Sequence, residues 1–184
     1  MKMPHRFIVS PKGGQYNNTK QIGEVELIIN TSIEEAEDVN RNGIVIALPL
    51  DYKGDIKVGD EVIIHHNIFR ITYNDKGIAR QSDFHIKDNL FFVDADLVYL
   101  IVRNGKKIAI DDHVFIKPIK EVDNWFGEIE KERVGIVKFA NEKLISQGIT
   151  EGDEIGFYKD CEYPFEIDNE KLYLMKNHRI LVKL

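Results

Sequence analysis

GDEVIIHH at Gly59–His66 returns as GDEIGFYK at Gly152–Lys159. In each copy a Gly-Asp turn launches a run with strand character. A Gly-Ile-Val strand lies just upstream, at Gly43–Val45 and at Gly135–Val137. Recurrence of the same pieces in the same order marks a duplicated unit, and missing it would misassign the whole fold.

The flanks repeat more loosely. HRFIV at His5–Val9 reads like HVFIK at His113–Lys117, and Pro118 is expected to end its strand as Pro11 ends the first. Asp88-Asn89 before Leu90–Val93 resembles Asp168-Asn169 before Leu172–Met175. The apolar run Leu97–Val102 finds a partner in Arg179–Leu184. Asn74-Asp75-Lys76-Gly77, between FRITY and GIAR, is a hairpin signal that the second half lacks. Glu142–Gln147 predicts a turn of helix at most. Strands of four to six residues between turns predict an all-β barrel or sandwich, here two in tandem. Each is small for an independent core, and terminal edge strands need cover, so oligomerisation is expected.

Bulk properties narrow the function. The chain of 184 residues fits one large or two small domains, and 43% hydrophobic residues suffice for cores. A net charge of -6 argues against a general nucleic-acid or anionic-membrane binder. One cysteine, Cys161, rules out an intramolecular disulfide and is compatible with a reducing compartment. The apolar run near the N-terminus is too short for a signal peptide, and no window approaches a membrane span. A cytoplasmic protein is expected.

The oddest local feature lies between Pro11 and Gly43. Gly14–Gln21 (GQYNNTKQ) is polar, aperiodic and expected to be mobile. GEVELIIN at Gly23–Asn30 then carries the apolar triplet Leu27-Ile28-Ile29, followed by the acidic stretch Glu34–Asp38. One reading is a strand packed on the barrel. The other is a docking tag on a tether, ordered only when bound.

These residues, in this order, resemble the co-chaperonin family, the GroES-like lid of the cylindrical chaperonin. The tail from Gly152 to Leu184 resembles the family's C-terminal part. HRFIVSP resembles its opening strand, and GIVIALP followed by VGDEVIIH its central strands. The resemblance covers nearly the whole chain, twice. It implies two tandem small GroES-like β-barrels: residues 1–106, with a mobile loop over about 11–32 and an added hairpin over about 71–82, and residues 107–184, with a shortened loop. It implies a homo-oligomeric ring that caps a chaperonin and encloses unfolded client protein through the partner's ATP cycle. It also implies that Leu27, Ile28 and Ile29 dock in the chaperonin's apical groove, with Val25 joining them in a register one step earlier. The second unit departs from the family, because Trp125 and Phe126 are its only bulky apolar residues in the loop position and are expected to pack. Cellular and virus-encoded members both remain open.

Chemistry has little support. His65 and His66 are adjacent in an expected strand, so their rings should face opposite sides and share no metal. His5, His85, His113 and His178 lack ligand spacing, and Cys161 lacks a CxxC partner. No phosphate loop or nucleophile elbow is present. The expectation is a protein without enzymatic activity, cofactor or metal. Two alternatives stand beside the co-chaperonin reading. One is an oligomeric assembly protein. The other is a nucleic-acid module using Phe69, Arg70, Tyr73 and Arg80 on the added hairpin.

Overall fold

Runs such as Phe7-Ile8-Val9 and Val98–Val102 are rich in β-branched and aromatic side chains, which fit a pleated, half-buried ladder. The structure, a computed structural model, describes residues 5–16, 19–22, 25–28, 39–123, 125 and 127–184. It is all-β, with one five-residue α-helix among the described residues. The chain divides into two compact units, Met1–Gly105 and Lys106–Leu184.

The first unit holds β1 (Phe7–Pro11), β2 (Thr19–Ile22), β3 (Val25–Ile28), β4 (Asn42–Ala47) and β5 (Glu61–Ile64). It continues with β6 (Ile71–Tyr73), β7 (Ala79–Gln81), β8 (His85–Lys87), β9 (Leu90–Val93) and β10 (Val98–Arg103). The second holds β11 (Lys106–Ala109), β12 (His113–Asp123), β13 (Gly127–Phe139), α1 (Glu142–Ser146), β14 (Glu154–Phe157), β15 (Tyr163–Ile167), β16 (Glu170–Lys176) and β17 (Ile180–Lys183).

Within residues 1–105 the strands of the main sheet run β10-β5-β4-β1-β9-β8, and within residues 106–184 those of the second run β17-β14-β13-β12-β16-β15. Strand for strand these are the same order, and every pair is antiparallel. The duplication seen in the Gly-Asp stretches therefore extends to the whole connectivity. The end strands of neither order pair with each other, so both sheets are open among the described residues, where the family resemblance implies two small barrels.

The register corrects the sequence alignment by one residue. Pro11 pairs with Gly43, and Pro118 with Gly135. Val9 thus corresponds to Ile116 rather than to Lys117. Both copies have a register shift at the same step, Ile8/Val9 and Phe115/Ile116. A one-residue slip would turn buried side chains outward, so the core decides. Phe7, Ile8 and Val9 match Val114, Phe115 and Ile116, all buried. The histidines used for the alignment are not equivalent, since His113 is buried against the Ile110 carbonyl while His5 is exposed.

Pro118 does not end its strand. β12 continues to Asp123, with the ladder slipping between Pro118 and Lys120. Proline has no N–H to give to a ladder, and such an irregularity is where a strand tolerates it. Pro164 is likewise inside a strand, on the edge strand β15, where an irregular connection is expected from sequence.

The repeated turns are built alike. Gly59 and Gly152 have φ of +90° and +92°, a left-handed backbone that glycine adopts without strain. Gly59 N–H donates to the Val45 carbonyl at 2.8 Å, and Val45 N–H to the Asp60 carbonyl at 2.9 Å. Gly152, Val137 and Asp153 repeat both bonds at 2.8 and 2.9 Å. The Asp60 carboxylate accepts from Lys57 N–H at 2.7 Å, and Asp153 accepts from Thr150 N–H at 2.7 Å. A cation from the last strand completes each turn: Arg103 meets Asp60 at 2.5 Å, and Lys183 meets Asp153 at 2.6 Å.

Cores fill between these ladders. Phe69 and Phe91 meet edge-on at 5.0 Å in the first unit. In the second, Val114, Ile116, Val137, Leu144, Ile155, Phe157 and Met175 form one buried cluster. Each such side chain contributes about 1.5–3 kcal/mol by leaving water. The helix α1 supplies Leu144 and is N-capped by Asn141, whose side chain accepts from Leu144 N–H at 2.9 Å.

Close approach also explains one glycine of the Gly-Ile-Val strands. A Cβ on Gly135 would lie 2.4 Å from Ile116 Cγ2 and 2.8 Å from the Lys117 carbonyl, whereas on Gly43 the nearest atom is 3.4 Å away. Gly135→Ala is therefore expected to destabilise the second unit by about 1–3 kcal/mol, and Gly43→Ala by less than about 1 kcal/mol. Urea unfolding of the two variants measures the difference.

Candidate functional site

The segment between β1 and β4 leaves its unit through a tied neck. Asn40 is buried, 2% exposed, and a buried amide needs its bonds made. Its Nδ2 donates to the Lys12 carbonyl at 3.0 Å and to the Gly14 carbonyl at 2.7 Å, while its Oδ1 accepts from Asn42 N–H at 2.8 Å. Its backbone N–H donates to the Gln15 carbonyl at 2.9 Å. Beside it Tyr16 bridges to buried Val39.

The added hairpin β6–β7 supports this neck. Tyr16 Oη accepts from Ile71 N–H at 2.6 Å, and Gln15 Nε2 donates to the Phe69 carbonyl and to Gln81 Oε1, both at 2.9 Å. Burial raises the Tyr16 pKa, so its hydroxyl keeps its proton and serves as a fixed hydrogen-bonding group. The hairpin itself is held by Asn74, whose Oδ1 accepts from Lys76 N–H at 3.0 Å and Ile78 N–H at 2.9 Å. Nothing in the sequence singles out Asn40, Gln15 or Tyr16. A polar residue becomes a clamp only where distant carbonyls converge on it.

Beyond the neck, β2 and β3 pair only with each other among the described residues, with Thr19 opposite Ile28, Lys20 opposite Leu27 and Ile22 opposite Val25. Of the predicted docking residues, Val25, Leu27 and Ile28 therefore lie on one strand of a separate two-stranded ladder. Ile29 lies outside the described residues, as do Phe126 and the acidic stretch Glu34–Asp38. Within the stretch expected to be mobile, Gly14, Gln15 and Tyr16 make these hydrogen bonds, and Thr19–Ile22 is a strand.

The other candidates fall elsewhere. β5 ends at Ile64, and a 3-10 turn begins at His66, so the rings of His65 and His66 do not face opposite sides. They stack with centroids 4.2 Å apart, and His65 Nδ1 accepts from Asn67 N–H at 3.1 Å. Burial, then His65, Arg41 and Arg70, push the His66 pKa down to about 4. Burial and Arg41 lower that of His65 as well.

Phe69 is fully buried, so of the nucleic-acid candidates it has no face for a base. Arg70 and Arg80 line a shallow pocket of about 310 Å³ with Phe84. Burial, then Glu162, raise the pKa of the Cys161 thiol, which donates to the Tyr158 carbonyl at 2.8 Å. Among the described residues no His, Cys, Asp or Glu cluster has the makings of a metal site, and no helix is long and apolar enough to cross a membrane. Trp125, expected to pack, is 90% exposed.

No protein-family profile matches the chain, and no curated protein matches it.

Two outcomes follow from this geometry. Asn40→Ala leaves the Lys12 and Gly14 carbonyls and the Asn42 N–H without their partner, and is expected to cost about 2–3 kcal/mol. Limited proteolysis should then cut faster near the neck than in the wild type. The depressed histidine pKa values make the unfolded chain the better proton acceptor, so stability is full above about pH 6.5. It falls as pH drops through 6.5 toward the His66 value of about 4. Urea midpoints measured across this window should decline less for His66→Asn.

Proposed function

We propose that this protein is a co-chaperonin: a ring-forming cap that closes a cylindrical chaperonin over unfolded client protein and is coupled to the partner's ATP cycle. The observation that carries the reading is the β2–β3 ladder. It bears Val25, Leu27 and Ile28, joins neither main sheet among the described residues, and follows a neck held by Asn40 and Tyr16. Both ends of a docking segment need fixing if its binding is to hold the cap in place. The segment between them needs freedom from the main sheet to meet a groove.

The contact is apolar and reversible in this reading. Leu27, Ile28 and Ile29 desolvate into the partner's groove, while ordering of the segment offsets part of the gain. Repetition around a ring multiplies contacts that are weak singly. The duplicated strand order supports the family resemblance that implies such a ring.

An assembly protein without a chaperonin partner is the second reading. Edge strand β17, with Leu181 and Val182 about half exposed and Leu184 exposed just beyond it, favours self-association under either reading. Nucleotide separates the two, because a connector has no use for it.

Ile28→Asp is expected to abolish retention on an immobilised chaperonin in the presence of ADP, with the thermal unfolding midpoint unchanged. Equal retention of variant and wild type would refute the docking assignment. No nucleotide-dependent retention of the wild type would favour the assembly reading.

A further inference from the structure

The added hairpin β6–β7 walls a pocket that its ties to the neck do not explain. Those ties run through the Phe69 carbonyl, the Ile71 N–H and the Gln81 amide. They account for the hairpin's position and not for its arginines. Arg70 stands just before β6 and Arg80 within β7, on two arms drawn together where Ile71 pairs with Gln81 and Thr72 with Arg80. Both guanidinium groups border one volume of about 310 Å³. Positive charge also reaches beyond it: after burial and His65, Arg41 and Arg70 push the His66 pKa down to about 4. Like charges gathered this way repel unless an anion comes between them.

The rest of the wall is fixed by its own bonds. Ser82 Oγ donates to the Ile68 carbonyl at 2.6 Å, and Thr72 Oγ1 to the Arg80 carbonyl at 3.4 Å. The wall's one carboxylate, Asp83, meets Arg80 at 3.6 Å with both side chains largely exposed, a pair that contributes little in water. An incoming dianion therefore takes its place at small cost. Phe84, half-buried, closes the pocket with a ring. That ring is braced by Phe92, with centroids 5.4 Å apart. Phe92 in turn lies 4.4 Å under the Arg6 guanidinium, which bonds Asp94 at 2.8 Å. A braced ring beside a polar pocket offers a stacking face to a flat partner.

We infer that this pocket binds a small phosphomonoester carrying a flat ring, the class to which free nucleoside monophosphates belong, with its phosphate between Arg70 and Arg80 and its ring on Phe84. Guanidinium forks match phosphate oxygens through paired N–H donors. A phosphomonoester carries about -1.5 to -2 charge at neutral pH, enough to engage both arginines. Ligand pockets run from roughly 300 to 1,000 Å³, so this one suits a single nucleotide. A strand would need a basic track along its backbone, whereas the chain carries a net charge of -6.

The site belongs to the insertion. The second unit passes from β14 to β15 with no strand between them, so it lacks the two arms that bring the arginines together. No described residue of β2 or β3 lines the pocket, so its ligand is independent of the partner proposed for that ladder.

Equilibrium dialysis of the full chain at low salt tests this with labelled AMP, inorganic phosphate and a short single-stranded oligonucleotide. AMP is expected to bind saturably with a Kd below about 1 mM. Arg80→Ala and Arg70→Lys should each weaken it about tenfold. Phe84→Leu should weaken AMP about tenfold and leave inorganic phosphate as it was. Asp83→Asn removes the competing carboxylate and should tighten AMP about threefold. Arg80 and Asp83 are exposed, so their variants should keep the wild-type unfolding midpoint. Absence of saturable AMP binding, or binding unchanged in Arg80→Ala, overturns the assignment and leaves the proposed function standing. Inorganic phosphate held as tightly as AMP, or the oligonucleotide held more tightly, overturns it as well.

Discussion

Each unit depends on one backbone exchange at a Gly-Asp turn. The glycine N–H reaches back to a valine carbonyl of the preceding strand, and that valine's N–H returns to the aspartate carbonyl. This exchange fixes where β4 hands over to β5, and β13 to β14. It requires a left-handed residue, which is why both copies use glycine. The aspartate then does two further things. Its carboxylate caps the turn from inside, and it draws in the cation of the last strand. In the first unit that cation is an arginine bonded through two nitrogens, at 3.0 and 2.5 Å, and its hydrogen bond is the largest cause holding the Asp60 pKa low. In the second it is a lysine, which offers a point charge without the planar fork. The interlock is conserved between the units, and the grip is tighter in the first.

With this frame held constant, the two units differ mainly where the frame leaves the chain free. Between the first two long strands, one unit has a tied neck and a separate ladder, while the other lengthens the strands themselves. Between β5 and β9 the first unit adds β6–β7, which has no counterpart in the second. That addition is tied to the neck through Tyr16 and Gln15. The insertion and the neck are thus one device, although more than fifty residues separate Tyr16 from Ile71.

The misread positions share a cause. The sequence aligned the opening strands on a histidine, but one of those histidines is exposed and the other buried. Burial of three consecutive apolar residues decides the register instead. Pro118 reads as a stop because proline gives nothing to a ladder, yet a slip in the ladder lets the strand pass it. His65 and His66 read as opposite faces of a strand, yet the strand ends one residue earlier and a 3-10 turn brings the rings together.

Much of the fold was legible because its signals are local. Glycine, asparagine and aspartate at turns, and β-branched residues between them, act over a few neighbours, so strand positions, the Asn74–Ile78 hairpin and the duplication could all be read from the chain. The apolar triplet was visible for the same reason. What only the tertiary structure decided was convergence across distance. It made Asn40 a clamp, tied the added hairpin to the neck, left the sheets open, and placed Trp125 outside instead of in a core. Each of these depends on which distant carbonyl or side chain arrives beside a residue, and that is settled by packing the whole unit.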